Sequence, residues 1–355
     1  SVEGKLNEIE GFTLPNPRDY PFYGVIFDLP LALLETILKV SKPQNYFLLR
    51  HFFTFSIFFV SALYLHKILN NRFKKKIIIF FGVLLYISSP RIFADSFYNN
   101  KDLVFLSFLT ISLFYYFKLI DNFDYKNILN FSFFSALACA LRIIGIFLPI
   151  TFLFFIFLSN KKIDKNYHLV KKILLFIFIF SFFLYLLWPF LWEAPLTNFI
   201  YAFNKSAEVG LSIQMLFNGN YIFSNLLPLS YLPVWIIITT PIISLILFAI
   251  GYAIIIKRSF TRLINIKPNT NYSDFWRSKK ENKDFFVILN FSAIFFYIIL
   301  SNSVLYTGWR QLYFLHFFLT YIGCFAIYYI DLKIKNKIFF YYFIFIFFLI
   351  NFYNI

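Results

Sequence analysis

Long apolar runs dominate this chain and restrict what it can fold into. They fall near residues 47–69, 77–94, 102–120, 170–191, 232–256, 285–301, 313–330 and 338–354. Each is close to the roughly 20 residues that a helix needs to cross the hydrocarbon core of a bilayer. A further stretch, 128–159, is too long for one span, and Arg142 and Gly145 divide it. That division predicts two helices meeting in a tight turn at one membrane face. Backbone polar groups find no partners in lipid unless they bond within their own segment, so the spans are expected to be helical. The expectation is an all-α, polytopic transmembrane helical bundle of about ten spans, forming one domain over residues 1–355.

Composition removes the alternatives. Hydrophobic residues make up 60% of the chain and charged residues 14%, with a mean hydropathy of +0.71. An ordinary soluble domain carries about 25% charged residues. The formal charge of +16 is unevenly placed. If the first run goes inward, the loops on the inner side hold 23 of the 33 Lys and Arg residues, and ten acids balance the other ten. The excess of basic residues therefore reports orientation and contact with anionic membrane lipids, with no nucleic acid implied. It places three segments: 1–46 as the first extracytoplasmic loop, 192–231 as an extracytoplasmic loop with an amphipathic helix around 196–208, and 257–284 as a basic cytoplasmic loop. Cys139 and Cys324 lie in apolar stretches, without the spacing of a disulfide framework or a zinc site. The chain opens on Ser1 and a polar stretch unlike a signal peptide, and an upstream segment is expected.

This orientation gathers the chemistry-bearing residues on the outer side. The segment Ser89–Asp102 (SPRIFADSFYNNKD) sets Asp95, Asn99, Asn100, Lys101 and Asp102 between apolar runs, where ionisable groups mark a functional site by default. Asp95 and Asp102 can supply a general base or hold a divalent metal, and Lys101 can hold phosphate. Asn100 and Asp102 also suit a plainer task, capping the helix that begins near 102. The planar fork of Arg142 fits phosphate bidentately, although an Arg at a turn can also reach the interface merely to keep its charge wet. Tyr306–His316 (YTGWRQLYFLH) joins Arg310 to Trp309, Tyr306 and Tyr313, either as an interfacial aromatic belt or as the lining of a carbohydrate pocket. His51, His66, His168 and His316 are scattered and form no ligand set, whereas carboxylates alone can bind magnesium or manganese.

Taken in order, YGVIFDLP, SPRIFADSFYNNKDLVFLS, LACALRIIGI, WPFLWEAPLTNFIYAF, YLPVWIIITTP and TGWRQLYFLH resemble bacterial membrane glycosyltransferases of the GT-C type. The resemblance is to the family 39 branch, which includes protein O-mannosyltransferases and is related to the aminoarabinose transferases of lipid A. It runs from about residue 20 to 320. It implies a membrane enzyme that takes a sugar from a polyprenyl-phosphate donor and passes it, with inversion, to a protein, lipid or glycan acceptor at the outer face of a bacterial inner membrane. Asp102 falls where the family has an acid in the second outer loop. Arg142 matches a basic position at the outer hairpin. Arg310 and Tyr313 match a GWR..YF element in which the family often has His where Gln311 stands. Tyr23, Gly24 and Asp28 match an element near the donor entrance. The resemblance also implies an Asp-Glu pair after a first span. Glu3, Glu8 and Glu10 do not stand in that context, so the span and the pair are expected upstream of Ser1.

These residues imply a scheme in which Lys101, Arg142 and Arg310 stabilise the leaving phosphate, while Asp102 and Asp95 orient the acceptor or hold a metal. Tyr23, Asp28, Asn99, Asn100, Trp309 and Tyr313 would line the substrate. The competing reading is a non-catalytic binder or transporter of lipid-linked glycans. A transporter should show internal repeats and broken helices at mid-membrane, and the sequence shows no convincing repeat.

Overall fold

The computed structural model describes residues 23–159, 167–206, 212–266, 273–334 and the single positions 336, 342 and 345. Apart from Tyr342 and Phe345, the expected span over 338–354 lies outside the described residues, as do the acids Glu3, Glu8 and Glu10.

The chain runs α1 (Asp28–Ile37), α2 (Pro43–Phe73), α3 (Lys76–Ile87), α4 (Pro90–Asp95), α5 (Asp102–Asp121), α6 (Tyr125–Leu141), α7 (Phe147–Ser159), α8 (Tyr167–Leu187) and α9 (Pro195–Lys205). A two-stranded antiparallel hairpin follows, β1 (Gln214–Phe217) and β2 (Asn220–Phe223), and then α10 (Tyr231–Thr239), α11 (Ile242–Ile264), α12 (Lys279–Leu300) and α13 (Leu315–Lys333). Among the described residues, six helices are long and apolar enough to cross a membrane: α2, α5, α8, α11, α12 and α13.

Several of the expected spans are shorter than their apolar runs. The 77–94 run stops at Ile87 and restarts at Pro90 as α4. The 232–256 run breaks at Thr240, whose ψ of 134° is extended, because Pro241 lacks an N–H and crowds the residue before it. The 128–159 hairpin forms as the sequence predicts: α6 ends at Leu141, Arg142 is extended, and a 3-10 turn over Ile143–Ile146 leads into α7. The amphipathic helix expected over 196–208 is α9. The basic 257–284 segment is partly helical, since α11 continues to Ile264 and α12 begins at Lys279. The β hairpin was not anticipated. Asn218 and Gly219 both have positive φ (49° and 81°), as the tight turn preferred by Asn-Gly requires.

Packing places α5 and α13 at the centre. α5 sits between α2 and α6, α6 continues to α8, and α13 packs on α3 and α11. The apolar windows of α5 and α13 are 72% and 78% buried, against 17% for α8, so α8 offers most of its surface to lipid. Inside, small hydroxyls let the backbones approach and satisfy one another. Ser112 on α5 meets Ser135 on α6 at 2.8 Å, and both Ser107 and Thr110 donate to carbonyls one turn back. Gly251 on α11 lies against the Ile322 carbonyl of α13, where a Cβ would stand 2.2 Å from that oxygen.

At the Asp121 end of α5, charge locks the bundle. Asp284 on α12 accepts a bidentate pair from Arg72 on α2 (2.7 and 2.6 Å), a bond from Arg258 on α11 (3.0 Å) and one from the Tyr321 hydroxyl on α13 (2.8 Å). The Asp284 and Arg72 side chains are 0% and 3% exposed. Beside them Lys283 bonds Asp121 and Asn71, each at 2.6 Å. Asp284→Asn would leave two guanidinium groups facing a neutral amide in a dry site. It should cost about 3–5 kcal/mol, seen as a large drop in the thermal unfolding midpoint in detergent. An unchanged midpoint would show that the cluster does not hold the helices.

Candidate functional site

The opposite end of α5, about 30 Å away for a helix of this length, carries a second carboxylate faced by two arginines. Asp102 is the first residue of α5 and is buried. Its Oδ1 accepts from Arg142 Nη2, delivered by the turn between α6 and α7. Its Oδ2 accepts from Asn99 Nδ2 at 3.0 Å and faces Arg310 Nε at 3.5 Å, too poorly aligned for a hydrogen bond. Arg142 and Arg310 are 168 residues apart in sequence, and the fold brings both to one carboxylate.

Asn99 organises the segment before α5. Its side-chain oxygen accepts from the Asp102 N–H at 2.9 Å, and its amide nitrogen reaches Asp95 Oδ2 at 3.4 Å as well as Asp102. The capping expected of Asn100 is thus done by Asn99. The turn over Tyr98–Asn100 points the Asn99 side chain, one residue earlier, at the first free N–H of the helix. Asp95, also buried, accepts from the Tyr98 hydroxyl and is hydrogen-bonded to Tyr313. Trp309 packs edge-on against Tyr313, with centroids 5.4 Å apart, and donates to the Thr239 hydroxyl at 2.7 Å.

Tyr23 closes the other side. Its ring lies under Lys101 Nζ at 4.5 Å and Arg142 Cζ at 5.9 Å. Burial raises the Tyr23 phenol above its ordinary pKa against the pull of Arg142. Burial and then Asp95 raise Tyr313, and the hydrogen bond to Asp95 raises Tyr98. All three therefore remain neutral donors near pH 7. Burial works against the Arg142 charge, but Asp102, by its charge and its hydrogen bond, outweighs it and holds the guanidinium ionised.

Of the other residues expected at the site, Asp28 lies elsewhere. It bonds Arg50 at 2.9 Å, and Arg50 also holds Glu35 at 2.8 Å, clipping α1 onto α2. Asn100 makes a backbone turn with Tyr98. Arg91 is a residue to which the sequence assigned no role. Its Nη2 donates to the Thr307 carbonyl at 3.3 Å, and its guanidinium covers Trp235 at 5.6 Å, so it ties α4 to the turn before Trp309.

An open pocket of about 690 Å³, solvent at its mouth included, lies against this cluster. Tyr23, Arg142, Gln311, Tyr297, Ser206 and Ser303 contribute its polar lining. Four cations (Arg91, Lys101, Arg142 and Arg310) face two carboxylates here, a net positive charge at a partly dry site, which favours an anionic ligand. A divalent metal fits less well. Among the described residues no group of three or more His, Cys, Asp or Glu could hold one. Both oxygens of Asp102 and both of Asp95 already face protein donors.

Residues 43–188 match the family model described as dolichyl-phosphate-mannose-protein mannosyltransferase. The match covers less than half of the chain, from α2 to the end of α8, and includes Arg91, Asp95, Asn99, Asp102 and Arg142. It stops short of Trp309, Arg310 and Tyr313. No curated protein and no solved structure matches the chain.

Removing the cap should separate Asn99 from its neighbour. Asn99→Ala is expected to lower stability by about 1 kcal/mol, while Asn100→Ala stays within about 0.5 kcal/mol. Thermal unfolding of the two variants in the same detergent checks this, and equal shifts would contradict the assigned cap.

Proposed function

We propose that this chain transfers a sugar from a polyprenyl-phosphate-linked donor to an acceptor at the extracytoplasmic face of a bacterial inner membrane, within a bundle of about ten spans. The observation that carries the proposal is Arg142, an ionised guanidinium that lines an open pocket and is held from behind by Asp102. The family match over 43–188 supports the reading, because its description names a lipid-phosphate sugar and the matched residues include this pair.

In this scheme the donor phosphate enters the pocket beside Arg142, with Lys101 and Arg310 adding positive charge from outside its lining. The acceptor hydroxyl attacks the anomeric carbon from the opposite side, the bond from that carbon to the phosphate oxygen breaks, and polyprenyl phosphate leaves carrying the electron pair. Preorganised cations stabilise that developing charge most effectively where water is scarce. The acceptor proton passes to a carboxylate. Asp102 is committed to two arginines, so its role is to position them. Asp95 forms no ion pair among the described residues and is the carboxylate left to orient the acceptor and take its proton. Tyr23 and Tyr297, which line the pocket, present aromatic surface to the sugar, whereas Trp309 and Tyr313 are buried and outside its lining.

Arg142→Ala should reduce transfer from polyprenyl-phosphate-mannose by about 100-fold or more, with Arg142→Lys partly active and both variants inserted and folded. Undiminished transfer by folded Arg142→Ala would overturn the assignment. Binding of polyprenyl phosphate by the native chain with no transfer to protein, lipid or glycan acceptors would identify a lipid-glycan binder instead.

A further inference from the structure

At the Asp284 end, far from Asp102, the helices enclose a second pocket of about 980 Å³, again with solvent at its mouth included. Its walls are Tyr116 near the end of α5, Phe123 just beyond it, Phe152 and Phe155 from α7, and Trp276 before α12. The wall is built before anything enters. Trp276 stacks on Phe155 with centroids 4.9 Å apart, Phe152 meets Phe123 at 6.4 Å, and the Tyr116 hydroxyl is tied to Asn282 at 3.2 Å.

Two ammonium groups stand at the rim. Lys279, which lines the pocket, donates to the Asp121 carbonyl at 2.6 Å. Lys172 donates to the Phe123 carbonyl and lies 5.2 Å over the Phe123 ring. Neither forms an ion pair among the described residues, and of the nearby carboxylates Asp124 accepts from the Asn127 N–H as the cap of α6. Asp121 holds Lys283 and Asn71, and Glu281 holds Arg262. An apolar, aromatic-walled cavity at membrane depth with two uncompensated cations at its mouth matches an amphiphile whose head is anionic and whose tail is a hydrocarbon chain.

We infer that this pocket is a binding site for one acidic phospholipid of the adjacent leaflet, with an acyl chain between Tyr116 and Phe155 and its phosphate held by Lys172 and Lys279. The site is separate from the sugar-transfer pocket and does not depend on the function proposed for it. Each cation acts on the headgroup by charge, so the preference for an anionic over a zwitterionic head should be roughly 30-fold.

The test is native mass spectrometry of the delipidated full chain in detergent, titrated with dioleoyl phosphatidylglycerol or dioleoyl phosphatidylcholine. One retained phosphatidylglycerol with that preference is expected. Lys172→Gln with Lys279→Gln should abolish the preference, whereas the same loss of charge at Lys67 and Lys333 should leave it in place. Ile156→Trp, which fills the cavity, should weaken retention of both lipids; circular dichroism confirms folding of each variant. Equal retention of the two lipids would overturn the inference. So would a preference that survives the Lys172/Lys279 change, since it would place the headgroup elsewhere on this basic end.

Discussion

A charge drawn into a membrane bundle must meet its counter-charge there, and this requirement shapes both ends of the molecule. α5 runs between two sites in which one buried carboxylate faces two arginines. At one end Asp284 gathers Arg72, Arg258 and Tyr321 from three other helices. At the other Asp102 gathers Arg142 and Arg310. Removing either carboxylate would leave its arginines without their counter-charge, so each cluster fixes the relative positions of the elements that feed it. The small hydroxyls and the close α11–α13 contact at Gly251 fill the space between.

The two clusters differ in what surrounds them. Asp284 is wholly enclosed, with its oxygens committed to a bidentate arginine, a second arginine and a phenol, which is the arrangement of a structural lock. The Asp102 cluster is open on one side. Arg310 remains 37% exposed, Arg142 lines a pocket, and Arg91 and Lys101 bring the cations to four against two carboxylates. An excess of positive charge beside an open cavity is what distinguishes a ligand site from a lock, although the pairwise chemistry is the same.

Much of this was visible in the sequence where the cause is local. The α6–α7 hairpin followed from an Arg and a Gly inside an apolar run, and the importance of Ser89–Asp102 followed from the cost of its charges. Local rules failed where two of them competed. Asn99 and Asn100 are equally good caps by type, and backbone direction at the turn chose Asn99. The Asn-Gly pair at 218–219 signalled a hairpin that was hidden by weak strand alternation around it. Pro241 lay in plain view inside an apolar run, yet run length alone suggested an unbroken span. What the sequence could not contain is partner choice over distance. Asp28 sits in a family-like element, but Arg50, 22 residues later, captures it together with Glu35. Nothing near Arg310 reveals that it faces Asp102, or that Arg91 bridges to Thr307, because such pairs exist only once the helices have packed.

The most direct test of the central claim, that Arg142 and its carboxylate form an anion site for a lipid-linked phosphate, is a cryo-EM map of the full chain carrying a bound antibody fragment and saturated with polyprenyl phosphate. The account predicts phosphate density in the pocket between Tyr23 and Gln311, within hydrogen-bond distance of the Arg142 guanidinium, with Asp102 still behind it. Phosphate bound elsewhere, with this pocket empty and the Arg142–Asp102 pair unchanged, would contradict it.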